Sequence, residues 1–197
     1  MQISQAIVRR PAPSCTAGLT TAGLGAPDYA GTLDQFQAYC TALRSLGLAL
    51  TELPPLPDFP DAHFVEDVAV VTPEFAVITR PGAPARRGET AHIEQPLSVY
   101  RELLPMQHGR LDGGDVMQVG KRFFIGLTGR TDTEGIAAFE QLVKPHGYTV
   151  EAVAVGAGLH LKSVVNALSE DTLLLAQALA DRPGAVRGDD VSRPPGV

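Results

Sequence analysis

The sequence predicts an α/β protein built from repeated βαβ-type units. Three observations carry this reading. Apolar strand pairs alternate with single helical stretches. Two of the strand pairs open on the same dipeptide, Asp67-Val68 and Asp115-Val116, 48 residues apart. Each pair ends near an arginine, Arg80 or Arg130, and a helix follows, so the spacing reads as an internal repeat. Two ordinary hairpins that share a dipeptide are the plainer alternative.

The elements follow in order. Thr32-Leu33-Asp34-Gln35 has the form of a capping box and starts the first helix. Leu33, Phe36, Cys40 and Leu43 recur at helical spacing, and Gly47 stops the run. Residues 49–53 form a strand that ends at Pro54-Pro55. Residues 68–71 and 75–79 make the first hairpin about Thr72-Pro73-Glu74. The second helix spans 91–104, in two pieces or with a late start, because Pro96 falls inside it. Residues 116–119 and 123–127 make the second hairpin about Gly120-Lys121-Arg122. The third helix begins at Thr131, with Glu134 completing a capping box. Its apolar stripe is Ile136, Phe139, Leu142 and Val143; Pro145 and Gly147 end it, and a strand opens at Tyr148. Residues 161–168 and 172–176 make a third hairpin. From Asp181 the chain has apolar residues only at Ala185, Val186, Val191 and Val197. The folded domain is therefore set at 1–182, with 183–197 a flexible tail.

Composition excludes several classes. Lys plus Arg number 16 against 22 Asp plus Glu, so a charge of −6 gives no general attraction for nucleic acid or acidic membranes. No window of 18 apolar residues suggests a transmembrane helix, and the N-terminus makes a poor signal peptide. Two cysteines, Cys15 and Cys40, cannot make a disulfide framework and read as thiols of a reducing, cytoplasmic compartment. No histidine pair has metal-helix spacing and there is no Cys-x-x-Cys, so no metal is expected.

Four clusters hold residues capable of chemistry. Asp58, Asp61, Glu66 and Asp67 approach an apolar strand; they either surround a cation such as a guanidinium or form a solvated acidic loop. The loop from Arg80 through Arg86 and Arg87 to Glu89 suits an anion, or is a basic surface loop. Asp112-Gly113-Gly114-Asp115 lets the backbone approach a neighbour or ligand, or is a tight turn. His160 follows a small-residue bend and is either a general acid–base group or a structural histidine.

Together these segments resemble the dimethylarginine dimethylaminohydrolases, of the guanidine-modifying pentein superfamily. The matching stretches are Phe64-Val65-Glu66-Asp67, Ile78 through Glu89, Gly113-Gly114-Asp115-Val116, Gly129-Arg130-Thr131-Asp132 and Leu159-His160-Leu161-Lys162-Ser163, in matching order. The resemblance implies a propeller of five βαβ-type units around a central site. It implies a thiol hydrolase that converts methylated arginine to citrulline plus a methylamine, with no cofactor and no metal. A small-molecule substrate is then the partner, with no nucleic acid and no membrane. His160 is implied as the catalytic acid–base, and Asp112 as the carboxylate orienting it, where many relatives carry Glu. Asp61, Glu66 and Asp67 are implied as the acidic wall of the substrate pocket. Arg86, with Arg87 as the alternative, and Arg130 are implied as ligands of the substrate carboxylate. Leu19 is implied as the lid residue whose backbone touches substrate.

One departure stands out. The resemblance places the nucleophilic Cys in the last unit, and no Cys follows Cys40 here. The expectation is thus an incomplete propeller, one unit short, from a truncated or frame-shifted sequence. Two other readings stay open. One is an arginine deiminase or amidinotransferase chemistry on the same scaffold. The other is a non-catalytic guanidine-binding or scaffold protein, completed as a homodimer.

Overall fold

The computed structural model describes residues 3–20, 23–156 and 158–176. The tail expected over 183–197 lies outside the described residues. No described helix is long and apolar enough to cross a membrane.

Among the described residues, ten strands and three helices repeat one pattern. Strand β1 (Gln5–Arg9), helix α1 (Tyr29–Ser45) and β2 (Ala49–Leu53) form a parallel pair. The first full unit is β3 (Ala69–Val71), β4 (Phe75–Ile78), α2 (Ala91–Ser98) and β5 (Glu102–Pro105). The second is β6 (Val116–Val119), β7 (Arg122–Leu127), α3 (Thr133–Val143) and β8 (Thr149–Ala154). In both units an antiparallel hairpin is followed by a helical crossover to a parallel strand. The hairpin of β9 (Val165–Ala167) and β10 (Leu173–Leu175) continues the series. The four sheets stay separate among the described residues.

The repeat is real, and it has two offsets. A single 3₁₀ turn precedes each hairpin, at Val65–Asp67, Gly113–Asp115 and Leu161–Ser163, each 48 residues after the last. The sheets that follow are 47 apart, with Phe75 opposite Glu102 and Arg122 opposite Thr149. Val68 explains the difference. It adds a helical residue (ψ −7°) before β3, whereas Val116 is already extended (ψ 113°) and starts β6.

Three packed clusters join neighbouring units. Leu53, Ala76, Ile78, Ile93 and Leu97 tie β2 to the first unit. Phe75, Val77, Phe123, Ile125, Phe139 and Tyr148 fill the space between the first and second units. Met117, Phe124, Val153, Leu161 and Val165 tie the second to the last hairpin. Phe123 is fully buried; it meets Phe139 edge-on at 5.0 Å and stacks on Tyr148 at 5.2 Å. Burying such a ring contributes about 1.5–3 kcal/mol.

Three local expectations are corrected. Helix α1 starts at Tyr29 rather than Thr32, because the Asp28 carboxylate caps it by accepting from the Gly31 N–H at 2.7 Å. Helix α3 starts at Thr133 because Asp132, not Thr131, accepts from the Gly135 N–H. The second helix stops at Ser98, and residues 102–105 form β5. There Leu103 packs towards one cluster and Leu104 towards another, a two-residue alternation that suits a strand beside β4.

Candidate active site

The 3₁₀ turns bring the charged residues together. Among the described residues, ligand-capable atoms of Asp67, Asp112 and His160 lie within 4.8 Å of one another. The three come from three successive units, and Asp112 and His160 stand 48 residues apart at equivalent positions.

Asp112 is fully buried. Its Oδ1 accepts from the Gly82 N–H at 2.8 Å, and its Oδ2 lies 3.0 Å from His160 Nε2. Arg130 Nη1 stands 3.7 Å from the same Oδ2, with its side chain a fifth exposed. Asp67 accepts from the Gly114 N–H at 2.9 Å, pairs with Arg86, and approaches His160 Nε2 at 4.0 Å. The oxygens of both carboxylates are thus engaged by protein donors. The cluster is an acid–imidazole pair with cations on either side.

Gly114 makes the approach of Asp67 and His160 feasible. A Cβ there would stand 2.7 Å from both Asp67 Oδ1 and His160 Nδ1. At Gly113 a Cβ would run into the Glu66 carbonyl. Both readings open for this Gly-Gly pair hold, since it forms the 3₁₀ turn Gly113–Asp115 and lets its neighbours approach closely.

Burial opposes the charged form of His160, but Asp112, Asp67 and Asp115 outweigh it and raise the ring above its ordinary value of 6.5. A raised folded-state value stabilises the protonated fold. That contribution is complete below the unfolded pKa, about 6.5, and is lost as pH rises through the higher folded value. Thermal melts of the wild type and His160→Gln should therefore differ most below about pH 6.5 and converge as pH rises through the higher folded value. A gap that widens with pH contradicts this sign.

The remaining expected residues are distributed unevenly. Asp61 is buried, and both its carboxylate oxygens accept from the Leu19 N–H at 3.2 Å. Leu19 is half exposed, so the acid latches an outer loop rather than meeting the Asp112–His160 pair. Glu66 is exposed and pairs with Lys162 at 2.9 Å. Arg86 is buried. Its Nε reaches Glu89, its Nη1 reaches Asp67, and its Nη2 reaches Glu89 and the carbonyls of Asp61 and Phe64. Its guanidinium is held charged, because Glu89 and Asp67 outweigh the burial that opposes charge. Only the second N–H of Nη1 is without a bonding partner among the described residues. Arg87 is half-buried and donates to the Pro81 carbonyl. This is a different environment from two arginines facing solvent as a carboxylate clamp.

Sequence reasoning missed Asp115, Thr128 and Thr131 as parts of the site. Asp115 is fully buried and accepts from both hydroxyls and from the Leu161 N–H. Asp115 carried a signal, its place 48 residues after Asp67, and Thr131 lies in the matching stretch Gly129-Arg130-Thr131-Asp132, but Thr128 carried none. In the sequence Glu89 only ends the basic loop. It is the buried partner of Arg86, and burial raises its carboxyl. The cysteines lie elsewhere. Cys40 is fully buried on α1, its thiol pushed up by burial, and Cys15 is buried on the 3₁₀ turn Pro13–Ala17. A cavity of about 630 Å³ also lies apart from the cluster, between β1 and the first unit, with Ile7, Val65, Ile93 and Leu97 in its wall.

No family model matches the chain. It is similar to the N(G),N(G)-dimethylarginine dimethylaminohydrolase of Pseudomonas aeruginosa, at 41% identity over 90% of this chain and 71% of that one. The Streptomyces coelicolor protein of the same name is 39% identical over 93% of this chain and 72% of its own. Among solved structures, the P. aeruginosa enzyme with a cysteine replaced by serine, complexed with citrulline, has a TM-score of 0.89. That match has 39% identity and covers 93% of this chain and 73% of that one. The N-terminal domain of a cyanobacterial arginine dihydrolase has a TM-score of 0.77 at 14% identity, over 87% of this chain and 66% of that one, which shows a shared fold alone.

Proposed function

The chain belongs to the dimethylarginine dimethylaminohydrolase family, and on that premise we propose that it binds an N-methylated arginine beside His160 as acid–base group. The buried Asp112–His160 pair at 3.0 Å carries this reading. A carboxylate at that distance fixes the ring and keeps a proton on it, which is what protonating a leaving amine requires.

The reaction class is hydrolysis of a guanidine C–N bond. In the reaction that the family resemblance implies, a thiolate that neither Cys15 nor Cys40 supplies would add to the guanidinium carbon, and the dimethylamine would leave with a proton from His160. Water then gives a proton back to His160 and attacks the same carbon, the C–S bond breaks, and citrulline departs. Asp67 is assigned to the guanidinium as a buried carboxylate beside the ring. Arg130 is assigned to the substrate carboxylate, with Arg86 offering its remaining N–H. Asp61 acts through the Leu19 loop, and Glu66 with Lys162 forms the rim. Cys15 and Cys40 sit on other elements, so neither is assigned as the thiolate.

Calorimetry on the 197-residue chain tests this. Dimethylarginine and citrulline are expected to bind, with no citrulline released from dimethylarginine over hours. Arg130→Ala should weaken binding about 10- to 100-fold, one lost charge-assisted contact. A wild type that binds neither ligand, or an Arg130→Ala chain that binds as well as wild type, sinks the assignment.

A further inference from the structure

We propose that Asp115 is a positioning residue that holds the backbones of His160, Asp112 and Arg130 at once, through the hydroxyls of Thr128 and Thr131. The inference rests on the site reading above and adds residues that the family resemblance did not single out.

The geometry is a single hub. Asp115 Oδ1 accepts from the N–H of Leu161, the residue after His160, at 2.9 Å. Its Oδ2 accepts from Thr131 Oγ1 at 2.6 Å and Thr128 Oγ1 at 2.7 Å. Each hydroxyl also accepts. Thr131 Oγ1 takes the Asp112 N–H at 3.2 Å. Thr128 Oγ1 takes the N–H of Arg130 at 3.0 Å and of Thr131 at 3.2 Å. Each hydroxyl has a single proton, so with N–H groups on its acceptor side that proton goes to Asp115. All three partners of the carboxylate are therefore donors, and only the anion satisfies them.

Burial pushes the Asp115 carboxyl up, so the charge has a cost. Among the described residues no Lys or Arg forms an ion pair with it, and His160 is the cation that offsets it. The preceding unit gives the contrast. Asp67, 48 residues earlier, also spends Oδ1 on the next turn, at Gly114, but gives Oδ2 to Arg86. The second unit replaces that cation with two hydroxyls, which leaves the negative charge of Asp115 available to the histidine. The charged groups around the His160 ring are then Asp67, Asp112 and Asp115, with Arg130 behind Asp112.

The test reads the His160 ring in the ligand-free chain by NMR titration of labelled histidine. Asp115→Asn turns an acceptor into a donor against three donors and removes the charge. Thr131→Val removes one hydroxyl at nearly constant shape. Both should lower the His160 pKa by about one unit, a tenfold loss of proton affinity. Thr131→Ser should restore it. If both Asp115→Asn and Thr131→Val lower the melting temperature but leave His160 titrating as in wild type, Asp115 is merely structural and the proposal fails. Where Asp115→Asn does not fold, the Thr131 pair decides alone. Because no ligand is present, this outcome is independent of whether the wild type binds dimethylarginine.

Discussion

Arg86→Ala is expected to lower the unfolding free energy by about 3–5 kcal/mol at neutral pH, the usual cost of removing one partner from a buried ion pair. Arg86 stands between Asp67 and Glu89, with all three side chains at most 6% exposed. Its removal leaves two buried carboxylates without their cation and two backbone carbonyls without their donor. Arg86→Lys keeps the charge but has no planar fork to reach Asp67, Glu89 and the two carbonyls together. It should lose about 1–3 kcal/mol. The pH dependence separates lost charge pairing from lost packing. Burial already raises the Glu89 carboxyl and Arg86 opposes that rise, so without Arg86 it rises further in the folded state; the fold is then favoured below the unfolded value, near 4, and disfavoured as pH rises. The alanine deficit should therefore be small near pH 4 and grow towards pH 7 in urea titrations. A deficit that is flat with pH identifies a packing loss and contradicts the ion-pair account.

Asp112→Ala should cost a similar amount, about 3–5 kcal/mol, for a different reason. The carboxylate is fully buried and serves the Gly82 N–H and the His160 ring while facing Arg130. Alanine leaves a buried N–H unpaired and two cations facing one another. Asp112→Asn keeps the shape and an acceptor for Gly82. It should cost less, about 1–2 kcal/mol, while lowering the His160 pKa by about one unit. Denaturant unfolding gives the first quantity and histidine NMR the second. An asparagine variant with an unshifted His160 would remove Asp112 from its orienting role.

The internal repeat was legible because it is written in local chemistry. Val70 and Val77 lie in short apolar runs bounded by turn residues, as buried strand residues do, and Phe36 and Cys40 lie on one helical stripe. The matching dipeptides at Asp67 and Asp115 mark equivalent turns. Helix starts were less legible. Asp28 and Thr32 both carry capping chemistry, and the outcome turned on which carboxylate or hydroxyl reached the free N–H groups. Residues 102–105 carry no local signal that separates strand from helix, because Leu103 and Leu104 fit either period, and the open edge of β4 decides for the strand β5.

The chemistry of the site divides in the same way. The sequence alone determined that carboxylates, arginines and one histidine gather near the turns of a repeated unit, because these residue types in this order resemble a single family. Only the tertiary structure decided which charges meet. Arg86 and Arg87 are neighbours in sequence, yet one is enclosed by Asp67 and Glu89 and the other is half exposed. Asp112 and His160 are 48 residues apart, yet they share a hydrogen bond. Thr128 and Thr131 look like ordinary loop residues until Asp115 is placed between them. The physical reason is range. Periodicity and turn chemistry act over a few residues, whereas pairing a buried charge depends on donors that only the packing of three successive units brings within 3 Å.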